Sequence, residues 1–185
     1  MNKGVGLSQG KYIAILDSDD SWCDKDKIQK QVDFLENQPG YVLAGGGAII
    51  KDQSGREIFR YVLRKKDLDI RSHLLVDNCF VHSSVVFRKS VFEAAGRYKE
   101  QLNVDWDWEL WLAMGILGKF YNFPEYFVHY LQWDQNISEA NAKYNLQTRI
   151  YLLQKYQKDY PGSFKSFLLG WAMYCYHSLP FKKKL

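Results

Sequence analysis

The chain is poor in the residues that announce several common architectures. Its three cysteines, Cys23, Cys79 and Cys175, stand far apart, which excludes a disulfide framework and the close pairs of a zinc site. A reducing compartment is expected. Long apolar runs are also missing: the longest, FLLGWAMYCY at 167–176, falls well short of the roughly 20 residues that span a bilayer. The opening residues lack the apolar core of a secretory leader. A cytoplasmic chain is therefore expected, with the inner face of the cell membrane as its one membrane location. Charge of one sign is scarce as well, since 25 basic residues are scattered among 21 acidic ones for a formal charge of +4. Only residues 181–185 form a basic cluster, so nucleic acid is not an expected partner. No internal repeat, low-complexity tract or linker is visible.

Core material, in contrast, is plentiful. Hydrophobic residues make up 46% of the 185 and aromatics 16%, enough for one compact body. KYIAIL at 11–16 reads as a buried strand. A helix capped by Asp24 is predicted to run to about Asn37, with Ile28, Val32 and Leu35 on one face and Pro39 and Gly40 as its stop. YVLAGGGAII (41–50) and EIFRYVL (57–63) are predicted strands joined by the turn KDQSG. A short helix after Asp67 uses Ile70, Leu74 and Leu75, and SSVVFR (83–88) is a further strand. Ser90 and Glu93 are spaced as a capping box for a short helix ending at Gly96. DWDWELWLAMGILG (105–118) predicts a helix with Leu110, Met114 and Leu117 inward. Two strands should follow, broken at Pro124.

Two C-terminal helices complete the chain. Ser138 caps one over about 139–158, with Leu146, Ile150 and Leu153 facing in. The other, about 163–179, carries Phe164, Phe167, Leu168, Trp171, Ala172 and Cys175 at helical spacing and leads to three lysines. That stripe suits either packing on the body or an interfacial helix with its lysines at lipid headgroups, giving residues 163–185 as the candidate membrane contact.

Chemistry is concentrated in AILDSDDSW at 14–22. Alternating strands and helices argue for an α/β sheet, whose strand ends commonly present ligand sites. Asp17, Asp19 and Asp20 within four residues repel one another, and a divalent cation relieves that cost. Oxygen-only donors favour Mg2+ or Mn2+, which usually share their coordination with substrate phosphates. A calcium-binding EF-hand loop is excluded, because Trp22 and Ile28 stand where glycine and glutamate are needed. An aspartyl-phosphate phosphatase and a solvated acidic turn capping the next helix stay open.

The stretch NKGVGLSQGKYIAILDSDDSW, followed by HSSVVFRKSVFEAAGRYKE (82–100), DWDWELWLAM (105–114) and YLQWDQNIS (130–138), resembles the family 2 glycosyltransferases of the GT-A fold, in that family's order. The resemblance covers residues 2 to about 138. It implies an α/β, GT-A-like mixed sheet flanked by helices over 1–138, with 139–185 as a helical extension packed on it. It implies an inverting transfer of sugar from a nucleoside-diphosphate donor to a glycan or lipid-linked acceptor, in cell-surface polysaccharide synthesis. Carried over, Asp19 and Asp20 bind the metal, while Asp17 and Asp19 face the nucleotide-sugar. Asp107 is the base that takes the acceptor's proton, with Asp105 as its substitute because Trp106 replaces the usual glutamate. His82, Ser83, Ser84 and Trp106 fall on the acceptor side. Trp106, Trp108 and Trp111 offer a sugar-stacking face or core.

Two departures from the family pattern set further expectations. The chain opens with the motif that normally follows two or more βα units gripping the nucleotide base, so an N-terminally truncated domain is expected. Its exposed sheet edge would invite a partner chain or dimer. Leu131, Gln132 and Trp133 replace the family's arginine and histidine near its phosphate site. The 185 residues are therefore an active enzyme's catalytic part, half of a split enzyme, or a non-catalytic binding or scaffold module. Weak or no turnover is expected of them alone.

Overall fold

A computed structural model describes residues 1–132 and 142–178. The predicted cap Ser138, the residues 133–138 of the last motif and the terminal lysines lie outside them. Helix α1 (Asn2–Leu7) leads to β1 (Tyr12–Ala14), β2 (Ser21–Trp22), α2 (Lys27–Asn37) and the hairpin β3 (Tyr41–Lys51) and β4 (Glu57–Tyr61). Then come α3 (Asp67–Leu74), a 3-10 turn (His82–Ser84), β5 (Val86–Arg88), α4 (Lys89–Ala94) and α5 (Trp106–Leu117). β6 (Lys119–Leu131), α6 (Ala142–Tyr156) and α7 (Ser163–Ser178) complete the order. The fold is the expected mixed α/β one.

The sheet runs β1-β5-β3-β6-β2, with β4 paired to the second half of β3. β3 and β6 are parallel, and the other pairs are antiparallel. β1 and β2 thus lie on opposite edges although only a few residues separate them. The chain between them, which holds the acids, must cross the end of the sheet.

Burial explains α5. Trp108, Leu110, Trp111, Leu112 and Met114 are all buried, and a helix apolar on most sides belongs inside a core. It packs in the main cluster with Phe87 and Phe120 of the sheet, with Phe92 of α4 and with Leu152 and Tyr156 of α6. Each fully buried Leu or Phe there contributes roughly 1.5–3 kcal/mol. On the opposite face of the sheet, α2 covers Ala44 and Val86 with Leu35. The three glycines in β3 are there for contact: a Cβ on Gly46 would collide with the Phe127 ring.

Several expectations are corrected. β6 runs unbroken through Pro124, because the proline falls where the β3–β6 register shifts between the Gly45↔Asn122 and Gly47↔Tyr126 pairs. No ladder bond is needed from its nitrogen at such an irregularity. The Ser90–Glu93 capping box does not form. α4 starts at Lys89 without a side-chain cap, since β5 leads straight into it, and Glu93 binds Arg97 instead at 2.5 Å. The predicted strand at 83–88 begins as the 3-10 turn. α2 starts at Lys27, and the Asp24 carboxylate accepts the Asp26 N–H at 2.8 Å one turn earlier. Its inner face holds Lys27 and Gln31, both fully buried, beside Leu35. Leu117 is 48% exposed rather than inward, and α1 has no counterpart among the predicted elements.

Candidate active site

Residues 15–20 are pinned to the 3-10 turn beneath them. The Ile15 N–H donates to Val85 O at 3.2 Å and the Asp20 N–H to Asp17 O at 3.1 Å. Ser83, buried under the crossing, accepts the Asp17 N–H at 3.1 Å and donates to Asp20 Oδ2 at 2.5 Å. The other Asp20 oxygen accepts the Leu131 N–H at 3.2 Å. Trp22 Nε1 donates to Ser83 O at 3.0 Å, closing the crossing on its far side. The acids therefore stay together because strand ends and a serine hold them, and no basic side chain pairs with Asp19 or Asp20 among the described residues.

His82 extends the cluster. Its Nδ1 lies 2.9 Å from Asp17 Oδ2 and its Nε2 3.1 Å from Tyr98 Oη. A carboxylate only accepts, so Nδ1–H donates to Asp17, and in the neutral imidazole Nε2 accepts the tyrosine proton. Tyr98 is in turn fixed by Asn2, whose side chain donates to Tyr98 O at 2.9 Å and accepts the Tyr98 N–H at 3.1 Å. That pair of bonds accounts for α1: it anchors the ring that orients His82. Trp106 packs edge-on against both rings, 4.8 Å from His82 and 5.0 Å from Tyr98.

The electrostatics follow from these contacts. Burial works to raise the Asp17 carboxyl, but its hydrogen bonds to His82 and Ser83 outweigh it and hold the group below the usual range. Asp20 is raised by burial, which its bonds to Ser83 and Leu131 only partly offset, with the charges of Asp19 and Asp17 adding to the rise. Tyr130 is pushed up to about 12 by burial and then by Asp20. Behind the loop, burial alone pushes Lys27 down to about 7. Its ammonium bonds Gln31 Oε1 at 2.8 Å and lies 4.6 Å from the Trp22 ring.

The second group of acids opens α5. Asp107 accepts a bond from Asn78 Nδ2 at 2.9 Å. Asp105 is the N-cap residue, yet its side chain makes no capping bond and its backbone is left-handed at φ 56 and ψ 24. Burial, then the charge of Asp107, raises its carboxyl to about 6, against the pull of Arg149. Asp105 lines a cavity of about 160 Å³ together with Asp77, Trp108, Arg149, Gly170 and Met173. Tyr98 joins the two acidic groups, since the charges of both Asp107 and Asp17 act on its hydroxyl.

The structure thus brings together Asp17, Asp20, His82, Ser83 and Trp106, with Asp19 exposed on the same loop. Ser84 is corrected: it is fully buried, accepts the Gly46 N–H at 3.1 Å and donates to Val81 O at 2.8 Å, so it braces the sheet and cannot meet an acceptor. His82 and Ser83 face the acids Asp17 and Asp20. Trp108 and Trp111 are core, not a stacking face. Sequence reasoning missed Tyr98, Asn78, Asn2 and Tyr130. Tyr98 carried one signal, an aromatic placed directly after the Gly96 turn.

As to metals, no group of three or more His, Cys, Asp or Glu converges among the described residues. The oxygen donors of Asp19 and Asp20 suit Mg2+ or Mn2+ provided that water and a ligand's phosphate complete the set. Asp19 makes no side-chain hydrogen bond among the described residues, whereas both Asp20 oxygens already accept one.

Comparison with solved structures defines the class. The mannosyltransferase PcManGT from Pyrobaculum calidifontis, in complex with GDP-Man and Mn2+, superposes with a TM-score of 0.54 at 16% identity, covering 94% of this chain and 47% of its own. Residues 1-349 of S. aureus TarS in complex with UDP give 0.55 at 13% identity over 90% and 48%. The fold is that of the GT-A glycosyltransferases. The profile described as Glycosyl transferase family 2 matches residues 1–96, and the chain belongs to that family. Among curated relatives, the amylovoran biosynthesis glycosyltransferase AmsE of Erwinia amylovora is 33% identical over 118 residues, 64% of this chain and 43% of AmsE. The uncharacterized glycosyltransferase MJ1057 of Methanocaldococcus jannaschii is 25% identical over 171 residues, 92% of this chain and 54% of MJ1057. The chain spans about half the length of the curated relatives it matches.

Proposed function

We propose that this chain carries the diphosphate-binding and acceptor-activating part of an inverting glycosyltransferase. Its reaction moves a sugar from a nucleoside-diphosphate donor to a glycan or lipid-linked acceptor in polysaccharide or cell-wall synthesis. The observation that carries the reading is the clamped acidic crossing: Ser83 and Leu131 fix Asp20, His82 fixes Asp17, and Asp19 is left exposed between them. Relatives named for polysaccharide biosynthesis support the product class.

In this reading Asp19, with Asp20 behind it, holds Mn2+ or Mg2+, which would neutralise charge on the departing nucleoside diphosphate. Asp17, kept ionised by His82, orients the sugar nucleotide. Asp107, steadied by Asn78 at 2.9 Å, accepts the proton of the acceptor hydroxyl as that oxygen attacks the anomeric carbon from the face opposite the leaving group. Asp105 is the alternative base, and its raised carboxyl near 6 suits proton transfer at neutral pH. Trp106 walls the site on the acceptor side.

The test is binding rather than turnover, because the chain spans about half its relatives. Calorimetric titration of UDP and of GDP, with and without Mn2+, is expected to show metal-dependent binding that Asp19→Ala weakens about tenfold or more. Binding indifferent to both the metal and the substitution overturns the assignment.

A further inference from the structure

α7 turns its apolar stripe outward. It is anchored through small residues: Ser166 is fully buried and bonded to Arg149 Nη1 at 3.1 Å, and Gly170 sits against Arg149 and Leu146. On the other side Phe164 is 75% exposed, Leu168 51% and Trp171 42%, at spacings that stack them on one face with Cys175. Phe167, Leu169 and Tyr176 widen that face. Solvated aromatic and aliphatic side chains so concentrated mark an interaction surface.

Charge selects the occupant. Residues 163–185 hold four of the chain's 25 basic residues and none of its 21 acidic ones, so the other 162 residues balance and the whole formal surplus of +4 lies in this segment. Lysine is depleted in protein–protein interfaces, whereas lysines joined to a Trp/Phe/Leu face are the composition of helices that lie in a bilayer surface. No helix among the described residues is long and apolar enough to cross a membrane. The 16 residues of α7 reach about 24 Å, short of the bilayer's hydrocarbon core, so on a bilayer they suit a position along its surface.

We infer that α7 docks the protein on the surface of an anionic lipid bilayer, its Phe164–Leu168–Trp171 face buried at the headgroup boundary, with the surplus positive charge of residues 163–185 attracted to the lipid phosphates. Gly170, on the inner side of α7, and the partly exposed Met173 line the cavity that Asp105 opens onto. Docking therefore sets that cavity at headgroup level, where a lipid-linked acceptor presents its sugar. This last consequence rests on the glycosyl-transfer reading; the docking does not.

Vesicle sedimentation of the full chain tests it. Strong partitioning is expected onto vesicles of equal parts phosphatidylglycerol and phosphatidylcholine, and about tenfold less onto phosphatidylcholine alone. Leu168→Glu and Trp171→Glu should each lower partitioning about tenfold or more, and the milder Leu168→Ala several-fold, with circular dichroism confirming the fold. Absence of partitioning onto the anionic vesicles overturns the inference. So does partitioning that both glutamate variants leave unchanged, or a dimer in light scattering that the same variants dissolve. A loss of UDP binding leaves this result untouched, so the two readings fail separately.

Discussion

The two acidic groups of the site are built in opposite ways. In the crossing loop, Asp17 and Asp20 have their carboxylates bonded by His82, Ser83 and a backbone amide. At the head of α5, Asp105 stands in a left-handed conformation, uncapped, its carboxyl raised to about 6 by burial. Hydrogen bonds to the charged form stabilise charge, while burial without such bonds stabilises the proton. Asp17 is thus held ionised, Asp20 keeps a raised carboxyl that a nearby cation would offset, and Asp105, raised without such bonds, is the group left to exchange a proton. Strain and a missing cap are tolerated where surrounding structure holds them, and such positions gather at functional sites.

The largest effect should come from unclamping the first group. Ser83→Ala removes the hydroxyl that bonds Asp20 at 2.5 Å and receives the Asp17 amide at 3.1 Å, while every carboxylate stays in the chain. Loss of such a supporting bond commonly costs 10–100-fold in metal affinity. Mn2+-dependent UDP binding should fall by about that factor in calorimetry. An unchanged affinity would show that the loop holds its acids without help, erasing the contrast with Asp105.

Asp105→Asn sharpens the other side of the comparison, with a smaller effect on stability. The Asp105 carboxyl is about 6 in the folded protein against 3.8 as its ordinary value, so the folded state binds the extra proton between these limits. Stability contributed by this group is intact below pH 4, declines as pH rises toward 6, and stays low above it. Asparagine tolerates the left-handed backbone and cannot ionise. The variant should gain about 1–2 kcal/mol over the parent at pH 8, after allowance for partial solvent screening, and nothing at pH 4, as read by urea unfolding. Equal stability at both pH values would mean that Asp105 is solvated like an ordinary surface acid.

How much of this was legible in the residues follows from the range of the forces involved. The acidic loop behind a strand and the apolar face of α3 are local patterns, and they read directly, as does that of α5 apart from the exposed Leu117. The family order of four motifs gave the fold. What stayed hidden depends on distant partners. Pro124 sits inside β6 because the opposing strand, some 80 residues away, shifts register there. Lys27 is buried because Trp22 and Phe127 close over it, which no charge pattern announces. The stripe of α7 reads the same whether it faces core or surface, and only the placement of Ser166 and Gly170 shows which side is inward. Asn2 and Tyr98 lie 96 residues apart, so neither carried a sign that together they would aim His82.

Tyr98→Phe is the smallest change and asks whether the two acidic groups are independent. The hydroxyl is buried and its one hydrogen bond among the described residues is the 3.1 Å bond to His82 Nε2; removing it costs about 1 kcal/mol, the usual net worth of such a bond. His82 Nδ1 keeps its bond to Asp17 at 2.9 Å, and the ring remains boxed by Trp106. UDP affinity should therefore fall less than about threefold, within the scatter of a single neutral hydrogen bond, while urea unfolding registers the lost stability. If affinity instead drops as far as in Ser83→Ala, the tyrosine would be fixing the charge state of the Asp17 side through the imidazole. The acids of the loop and those of α5 would then act as one coupled unit joined across Tyr98.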